Sequence, residues 1–328
     1  MNSTPFRQIG KGFCGSVWAS DRDGPSIAIK REDGGPERSV ANDSAMHMKI
    51  ECSLQHAQKT LGLATQVLIP HHYALVTADD SAWWSSRASR FPFGYEHCTS
   101  LLTERILPLQ QEARENLIDM FCLEKAKEAV KKNRQDEDCL VRPYLGRRTH
   151  NSAPSRFFTL RNKPLCVDQM ESIGLAVEDY ARAIAETLAV IYWHSKTDAN
   201  DIEIVIAPGR TNDGSGDFHS EVLGRHALWV LDFDCVKSLT QDEAGIGRAA
   251  STYMRNDPFW PRPGSDVQAD QSLWNIFRAR FLESSRLILD DDSQLPQMFI
   301  DRLELLGEQR RERERVLELQ ECSQQNSS

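Results

Sequence analysis

The pattern of apolar and polar positions divides the chain into a strand-rich first part and a helix-rich second part. Short apolar runs predict strands within 6–20 and 26–32, separated by the turn sequence DRDGP. A helical period follows over 39–60, and two further strands are expected within 67–80 and 98–109. Between those two strands lies an aromatic insertion, WWSSRASRFPFGYEH.

The second part is predicted to be mostly helical. Helices are expected over 110–133 and 167–194. Short strands are expected at 203–208 and 227–234, and a charged helix with a polar tail ends the chain. The helix over 167–194 carries a stripe of apolar positions at Leu175, Tyr180, Ile184, Leu188 and Ile191.

This order of elements predicts an α+β, protein-kinase-like two-lobed fold. A small β-rich N-terminal lobe is expected over 1–108 and a larger helical C-terminal lobe over 109–305. The charged helix and tail occupy 306–328. Ligands commonly bind where two such lobes meet, so the cleft between them is the expected functional site.

Composition narrows the class of protein. The 328 residues are 40% hydrophobic with a net charge of −9, which argues against DNA binding over the whole surface. The eight cysteines form no CxxC pair and no Cys/His cluster at zinc spacing, so we expect reduced thiols and no metal. No apolar run is long enough for a membrane span and no signal peptide is visible, which predicts a cytoplasmic protein.

A glycine-rich turn near the start could bind phosphates. Gly10, Gly12 and Gly15 have the G-x-G-x-x-G-x-V spacing that resembles the kinase glycine-rich loop. The next strand ends in IAIK, which places Lys30 beneath that turn, with Glu51 on the following helix as its expected partner. The alternative is a simple glycine hairpin with a surface lysine.

Two acidic segments resemble the kinase catalytic and metal-binding loops, with substitutions. Asp198 takes the place of the catalytic aspartate, but the preceding His-Arg pair is absent. Glu203 stands where kinases carry a metal-binding Asn, and in LDFD the Asp-Phe-Gly glycine is replaced by Asp234. The alternative is a pair of turns whose acids cap backbone amides.

Convergence of these acids in one pocket would require a strong cation. The five are Asp198, Asp201, Glu203, Asp232 and Asp234. Two carboxylates 5 Å apart repel by about 3 kcal/mol at an effective dielectric constant near 20. Mg²⁺ bound to ATP could balance the charge, and so could the guanidinium of an arginine substrate. The added negative charge favours the guanidinium.

One basic segment could bind RNA. No acid occurs between Leu140 and Val167, and Tyr144, Phe157 and Phe158 are interleaved with the basic residues. Cations for phosphates and aromatic rings for bases suit a single-stranded RNA end, whereas the alternative is a solubilising loop. The candidate tRNA-binding residues are Arg142, Arg147, Arg148, Arg156 and Arg161.

Several strings, among them LTERILPL, VDQM, DANDIE and NDPFWPRP, resemble those of fungal arginine-containing cyclodipeptide synthases. That resemblance implies an acyltransferase that converts arginyl-tRNA and a second aminoacyl-tRNA into a cyclic dipeptide, cyclo(Arg-Xaa), in secondary metabolism. Such an enzyme needs no cofactor. Asp198, Asp201 and Glu203 are then expected to be catalytic. Substrate binding is assigned to Asp232, Asp234, Lys30, Gly10, Gly12 and Gly15.

Two other functions remain open at this point. The kinase-like motifs are compatible with an ATP-dependent phosphotransferase that acts on a small molecule, and their substitutions are compatible with a non-catalytic pseudokinase scaffold. The sequence leaves undetermined the second amino acid, which acid is the base, whether a covalent aminoacyl-enzyme forms, and the oligomeric state.

Overall fold

The fold is α+β, with a β-rich N-terminal region and a helical C-terminal region, as predicted. The computed structural model describes residues 4–20, 26–64, 66–149, 158–210, 218–290 and 292–325. The predicted DRDGP turn and Arg156 lie outside these ranges.

The N-terminal region is built on an antiparallel five-stranded sheet. Its strand order is β1-β2-β3-β5-β4, and the first three strands form a meander, as the hairpin pattern predicted. The strands are β1 Arg7–Lys11, β2 Ser16–Ala19, β3 Ile27–Arg31, β4 His72–Val76 and β5 Ser100–Glu104.

The two faces of this sheet have different roles because side chains alternate along each strand. Ile29 packs against Trp18, Trp84 and Phe91 on the outer face, where the aromatic insertion covers the sheet with helix α2, Ser81–Arg87. Its neighbour Lys30 points to the opposite face, into the cleft. The insertion therefore supports the sheet from behind and does not line the cleft.

Helix α1, Val40–Thr60, connects the sheet to the rest of the molecule. Ser39 caps it, with Oγ accepting a hydrogen bond from Asn42 N at 3.2 Å. Ile50, Leu54 and Ala57 are buried in the main core, which continues into the helical region. The predicted helix over 39–60 is confirmed, and it spans the junction between sheet and helices.

Both helices predicted for the middle of the chain are interrupted. The expected helix over 110–133 is two helices, because Cys122 and Leu123 take extended backbone angles. The expected helix over 167–194 breaks at Gly174, whose φ of 68° is left-handed. Its last part is a π-helical turn over Val190–His194. The bounds are α3 Gln111–Phe121, α4 Glu124–Lys131, α5 Val167–Ser172 and α6 Val177–Ala189.

The predicted apolar stripe of the long helical region is buried. All five positions are at most 6% exposed: Leu175, Tyr180, Ile184, Leu188 and Ile191. The stripe lies in the main core, where α6 packs against α8, Gln268–Ile288. The other two helices of this end are α7 Glu243–Arg255 and α9 Leu295–Gln325. Among the described helices, none has the length and apolar character needed to cross a membrane.

Small sheets lie where the two regions meet. Strands β8 and β10 form the predicted hairpin, and β9 is a third strand that the sequence pattern did not predict. Glu203 opens β8 opposite Leu231, the last residue of β10. A parallel pair, β6 and β7, lies beside them. The strands are β6 Arg142–Tyr144, β7 Pro164–Cys166, β8 Glu203–Ala207, β9 Phe218–Ser220 and β10 Gly224–Leu231.

At Gly15 of the predicted loop, both the backbone conformation and the close packing require a residue without a Cβ. Its φ is 153°, and a Cβ built on it would lie 2.0 Å from Arg31 O. We expect Gly15→Ala to lower the free energy of unfolding by about 1–3 kcal/mol, measured by urea denaturation.

Gly12→Ala is the matched control, because a Cβ there meets no described heavy atom within 4 Å beyond its chain neighbours. Its stability should remain within about 0.5 kcal/mol of the wild type. Equal losses in both variants would contradict the packing argument for Gly15.

Candidate functional site

Lys30 is held by carboxylates from two other segments of the chain. Its Nζ contacts Asp43, lies 2.6 Å from Asp232 Oδ1 and 3.6 Å from Asp234 Oδ2. Only 18% of the lysine side chain is exposed. Burial opposes its charge, but the three carboxylates outweigh burial and raise the pKa of Lys30 well above its usual value. The lysine is therefore permanently charged.

Asp43, and not the predicted Glu51, is the helix α1 partner of Lys30. Asp43 lies in the first turn of α1, and its Oδ1 also accepts a hydrogen bond from Phe233 N at 3.2 Å. Glu51 lies two turns later and accepts hydrogen bonds from the His71 ring and the His72 amide. The prediction was wrong because it took the spacing from kinases, whereas here the helix approaches Lys30 with its first turn.

Asp232 and Asp234 follow directly after strand β10. Asp232 has a left-handed φ of 66°, which is costly for a residue with a Cβ. Burial raises the pKa of Asp232, Lys30 opposes that rise, and the neighbouring carboxylates add to it. Asn42 fixes the segment by donating its Nδ2 to Asp234 O at 2.8 Å and to Val236 O at 3.1 Å.

A second cation, Arg38, lies among the remaining acids. Its Nη1 donates to Asp234 Oδ1 at 2.7 Å and to Asp201 Oδ2 at 2.9 Å, and it contacts Cys235 Sγ. We call the side chains of Asp201, Asp234 and Cys235 the acid seat. Of these residues, Asp234 was predicted to bind the guanidinium of a substrate, and in the structure it binds a guanidinium of the chain itself.

The loop that presents Asp201 is strained and clamped. Lys196, Ala199 and Asp201 all have positive φ. The buried side-chain amide of Asn256 holds this loop with two hydrogen bonds. Its Nδ2 donates to Ala199 O at 2.8 Å, and its Oδ1 accepts from Asp201 N at 3.1 Å. Strained residues that surrounding contacts hold in place are concentrated at functional sites in proteins.

Glu203 is the carboxyl group best suited to proton transfer. It lies next to Asp232 across the β8–β10 pair and forms an ion pair with Arg142. A quarter of the Glu203 side chain is exposed, but the surrounding protein excludes most of the water around its carboxyl group. Burial raises the pKa of Glu203 to about 7, with Arg142 opposing the rise and the Asp232 and Asp257 carboxylates adding to it.

Arg142 is held in place by its own partners. Its Nη1 lies 3.6 Å from Asp257 Oδ2, and Tyr144 donates its hydroxyl to the same oxygen at 2.6 Å. Burial, followed by the Asp257 contact, raises the pKa of Tyr144 well above its usual value, so the phenol stays protonated. This network keeps a cation beside Glu203.

An apolar slot of about 170 Å³ leads to these charges. It lies between the sheet and the β8–β10 pair, and its lining includes the contacting charges of Lys30, Asp43 and Asp232 and the chain segment 104–106. Its apolar walls suit a flat ring, and its charged residues suit a polar group attached to that ring. The apolar lining comes from Ile9, Val17, Ala28, Leu101, Leu140 and Leu231.

Asp198 does not join the acids around Lys30 and Arg38. Its Oδ1 accepts hydrogen bonds from Asn200 N at 3.1 Å and Lys237 N at 2.9 Å, so the carboxylate closes a turn. The capping alternative describes this residue better than the catalytic one. The Asp198 carboxylate thus stabilises the loop, whereas Glu203 and Asp201 contact cations of the cleft.

The predicted tRNA-binding arginines have diverse surroundings. Arg142 pairs with Glu203, and Arg148 pairs with Glu171 and Asp270, so neither has its charge available for a phosphate. Arg147 is exposed, with its Cζ 5.2 Å from the Tyr144 ring, and Arg161 is exposed. The basic segment thus retains two exposed arginines within its described part.

Three residues of the site were not found by sequence reasoning: Arg38, Asn256 and Asp43. Arg38 lies in the sequence EDGGPERS, which has the composition of a solvated loop. Asn256 lies just after helix α7, at the start of the string NDPFWPRP, for which no chemical role was predicted. A weak sequence signal for Asp43 was present. Asp43 is an acid in the first turn of the helix that follows the strand carrying Lys30, and such an acid can contact that lysine.

The Lys30 contacts yield a stability prediction. Lys30→Met leaves Asp43 and Asp232 without their cation and should cost about 3 kcal/mol in the free energy of unfolding at pH 7. Adding Asp43→Asn removes one of the unpaired charges but keeps an acceptor for Phe233 N. The double variant should therefore lose less stability than the sum of the losses in the two single variants.

Urea denaturation of the four proteins measures this coupling. Lys49→Met, at an exposed position of α1, is the control and should change stability by no more than about 0.5 kcal/mol. Strict additivity of Lys30→Met and Asp43→Asn would show that the two side chains do not interact energetically.

Comparison with known protein families gives one match, which covers well under half of the chain. Residues 228–293 match a family profile, DUF3669, described as a zinc finger protein. No curated protein matches the chain. The expected membership of the arginine-containing cyclodipeptide synthases was therefore wrong: the matching profile carries a different description, and nothing in the comparisons points to those enzymes.

The matched segment lacks the residues of a zinc finger. Structural zinc sites in such domains use four cysteine or histidine ligands. Residues 228–293 contain a single cysteine, Cys235, and no histidine. Among the described residues, Asp201, Asp234 and Cys235 are close enough together to hold a metal ion, but Arg38 donates to all three. The segment is thus similar to that family without a zinc-finger ligand set of its own.

Proposed function

We propose that this protein is an acyltransferase for an activated arginine. It would take the arginyl group of arginyl-tRNA, join it to the amine of a second aminoacyl-tRNA and release cyclo(Arg-Xaa). The observation that carries the proposal is the guanidinium of Arg38 between Asp201 and Asp234, because it shows that this seat accepts the functional group of arginine. Since aminoacyl-tRNAs are made in the cytoplasm, the proposal also places the protein there.

The charge balance of the site supports a cationic substrate. Three cations, Lys30, Arg38 and Arg142, face a larger number of carboxylates among the described residues. Such an excess of negative charge attracts guanidinium and ammonium groups and repels an unaccompanied phosphate. The carboxylates are Asp43, Asp201, Glu203, Asp232, Asp234 and Asp257.

Glu203 is the proposed general base. With a pKa near 7, a large fraction is ionised at neutral pH, and its proton affinity is matched to that task. It would take a proton from the attacking amine as nitrogen bonds to the ester carbonyl carbon. The ribose oxygen of the tRNA leaves and receives a proton. A second attack, by the free amine of the dipeptidyl ester, closes the ring and releases the second tRNA.

The remaining parts of the site have assigned tasks in this scheme. The apolar slot would hold the adenine ring at the tRNA end, and the exposed Arg147 and Arg161 would contact its phosphates. Lys30 would hold Asp232 and Asp234 in place. Orientation of two bound esters is itself a large part of the catalysis in such a reaction.

An assay of product formation tests the proposal. The purified protein is incubated with total tRNA, the charging enzymes, arginine and the other amino acids, and cyclo(Arg-Xaa) is sought by mass spectrometry. We expect a product that contains arginine and that disappears after ribonuclease treatment. Absence of any arginine-containing product would refute the proposed activity, and an unchanged yield after ribonuclease would refute the role of tRNA.

The pH dependence tests the role of Glu203. Because the base must be ionised, the rate should fall as the pH drops through about 7. Arg142→Met removes the cation that lowers the pKa of Glu203, so the acid limb should move to higher pH. Glu203→Gln should lower the rate by about 10²–10⁴-fold. An unchanged profile in Arg142→Met would assign the acid limb to another group.

A second candidate function is favoured by the apolar slot with Lys30 and Asp43 in its lining. That arrangement resembles the nucleotide site of kinases and would suit an ATP-dependent phosphotransferase. It predicts that Mg·ATP raises the melting temperature of the wild type and leaves that of Lys30→Met unchanged. Failure of Mg·ATP to shift the wild type would remove this candidate. A defined product in the acyltransfer assay would remove the scaffold alternative.

A further inference from the structure

Arg38 fills the acid seat with only part of its guanidinium. All of its polar contacts among the described residues are made by Nη1, which donates to Asp201 and Asp234 and contacts Cys235. Arginine binds carboxylates most strongly when two of its nitrogens donate in parallel. A free guanidinium that entered with two donors could therefore compete with Arg38 for the same oxygens.

An empty seat would be unfavourable at Asp234. Asp234 is nearly buried, and its two oxygens face Arg38 on one side and Lys30 on the other. Departure of Arg38 alone would leave Asp234 Oδ1 without its cation, whereas Asp201, whose side chain is 53% exposed, would be solvated by water. Departure of Arg38 is therefore favoured when another cation takes its place, so that two guanidinium groups exchange.

Movement of Arg38 would be transmitted to the glycine turn. Its Cζ lies 5.8 Å from the ring of Phe13, which stands at the tip of that turn and is 82% exposed. The segment that carries Arg38 is also hydrogen-bonded to the turn, with Gly34 N donating to Cys14 O and Gly35 N to Phe13 O. Arg38 thus ties the glycine turn to the acids across the cleft.

We propose that Arg38 is a built-in competitor that occupies the acid seat until the guanidinium of the substrate replaces it. The inference rests on the proposed function in that it takes the substrate to carry a guanidinium group. Exchange would release Phe13 and the glycine turn from the acids and open the cleft for the rest of the substrate. The seat would select against ligands that cannot replace a guanidinium, since they would have to displace Arg38 without compensation.

The affinity of a small guanidinium ligand tests the exchange. L-Arginine methyl ester, a minimal activated arginine, is titrated into the wild type and into Arg38→Ala, Arg38→Gln and Arg38→Lys by calorimetry. Removal of an internal competitor that fills most of the population should tighten binding about tenfold or more in the Ala and Gln variants. Arg38→Lys retains a competing cation and should stay nearer to the wild type.

Arg87→Ala is the matched control, because Arg87 is an arginine of helix α2 that lies over Trp83, on the far side of the sheet. It should leave the affinity unchanged. Arg38→Gln keeps the length of the side chain and a hydrogen-bond donor, so it serves if Arg38→Ala does not fold. Equal or weaker binding by both neutral variants would overturn the proposal and leave Arg38 as a structural ion pair.

Hydrogen exchange provides a second readout that a purely structural ion pair would not change. Addition of L-arginine methyl ester should increase deuterium uptake in residues 10–15 of the wild type, whereas Arg38→Gln should show high uptake without ligand. Slower exchange in the wild type on ligand addition would contradict release of the turn.

The two proposals can fail separately. Product formation without tighter binding in Arg38→Gln would refute the exchange and keep the acyltransferase. Tighter binding without any arginine-containing product would keep the exchange and refute the acyltransferase. Failure of every variant to bind the ester would overturn the exchange, and together with the absence of an arginine-containing product it would overturn both.

Discussion

The contact of Lys30 with three carboxylates is the interaction on which the rest of the site depends. It joins strand β3 of the sheet to the first turn of α1 and to the segment after β10. These three elements come from opposite sides of the cleft, so a single buried charge sets how closely the sheet approaches the helical region. The width of the slot and the position of Asp232 both follow from it.

Around that contact, carboxylates outnumber cations among the described residues, and backbone geometry holds the carboxylates in place. Left-handed residues turn Asp201 and Asp232 toward the cleft, while Asn42 and Asn256 hold the two loops through backbone hydrogen bonds. The acids are thus held close together by contacts that do not neutralise them. A site of this kind binds a cation strongly because the cost of gathering the carboxylates was met during folding.

Sequence patterns predicted the parts of the fold in which one local signal dominates. The apolar run around β3, the helical period from Ser39 and the stripe through Tyr180 and Ile184 predicted a strand, a helix start and a buried face correctly. The break at Cys122 was missed because the apolar period continues across it. Asp232, Asp234 and Lys30 were found from motif spacing. Asp43 and Arg38 were not, because their partners are decided by the direction in which α1 and its preceding loop cross the sheet.

The π-helical turn over Val190–His194 takes up one extra residue just before the loop of the site. A π-turn accommodates one residue more than the α-helix around it, and here it buries both Tyr192 and Trp193 immediately before the loop that carries Asp201. Because the wide turn takes up this extra residue, loss of one residue there would give a regular α-turn and leave the direction of the following chain largely unchanged. Loss of one residue from the regular part of α6 would instead rotate everything after it by about 100° and turn the loop away from the cleft. The residue count is therefore a strict requirement in the helix before the turn and a looser one within the turn.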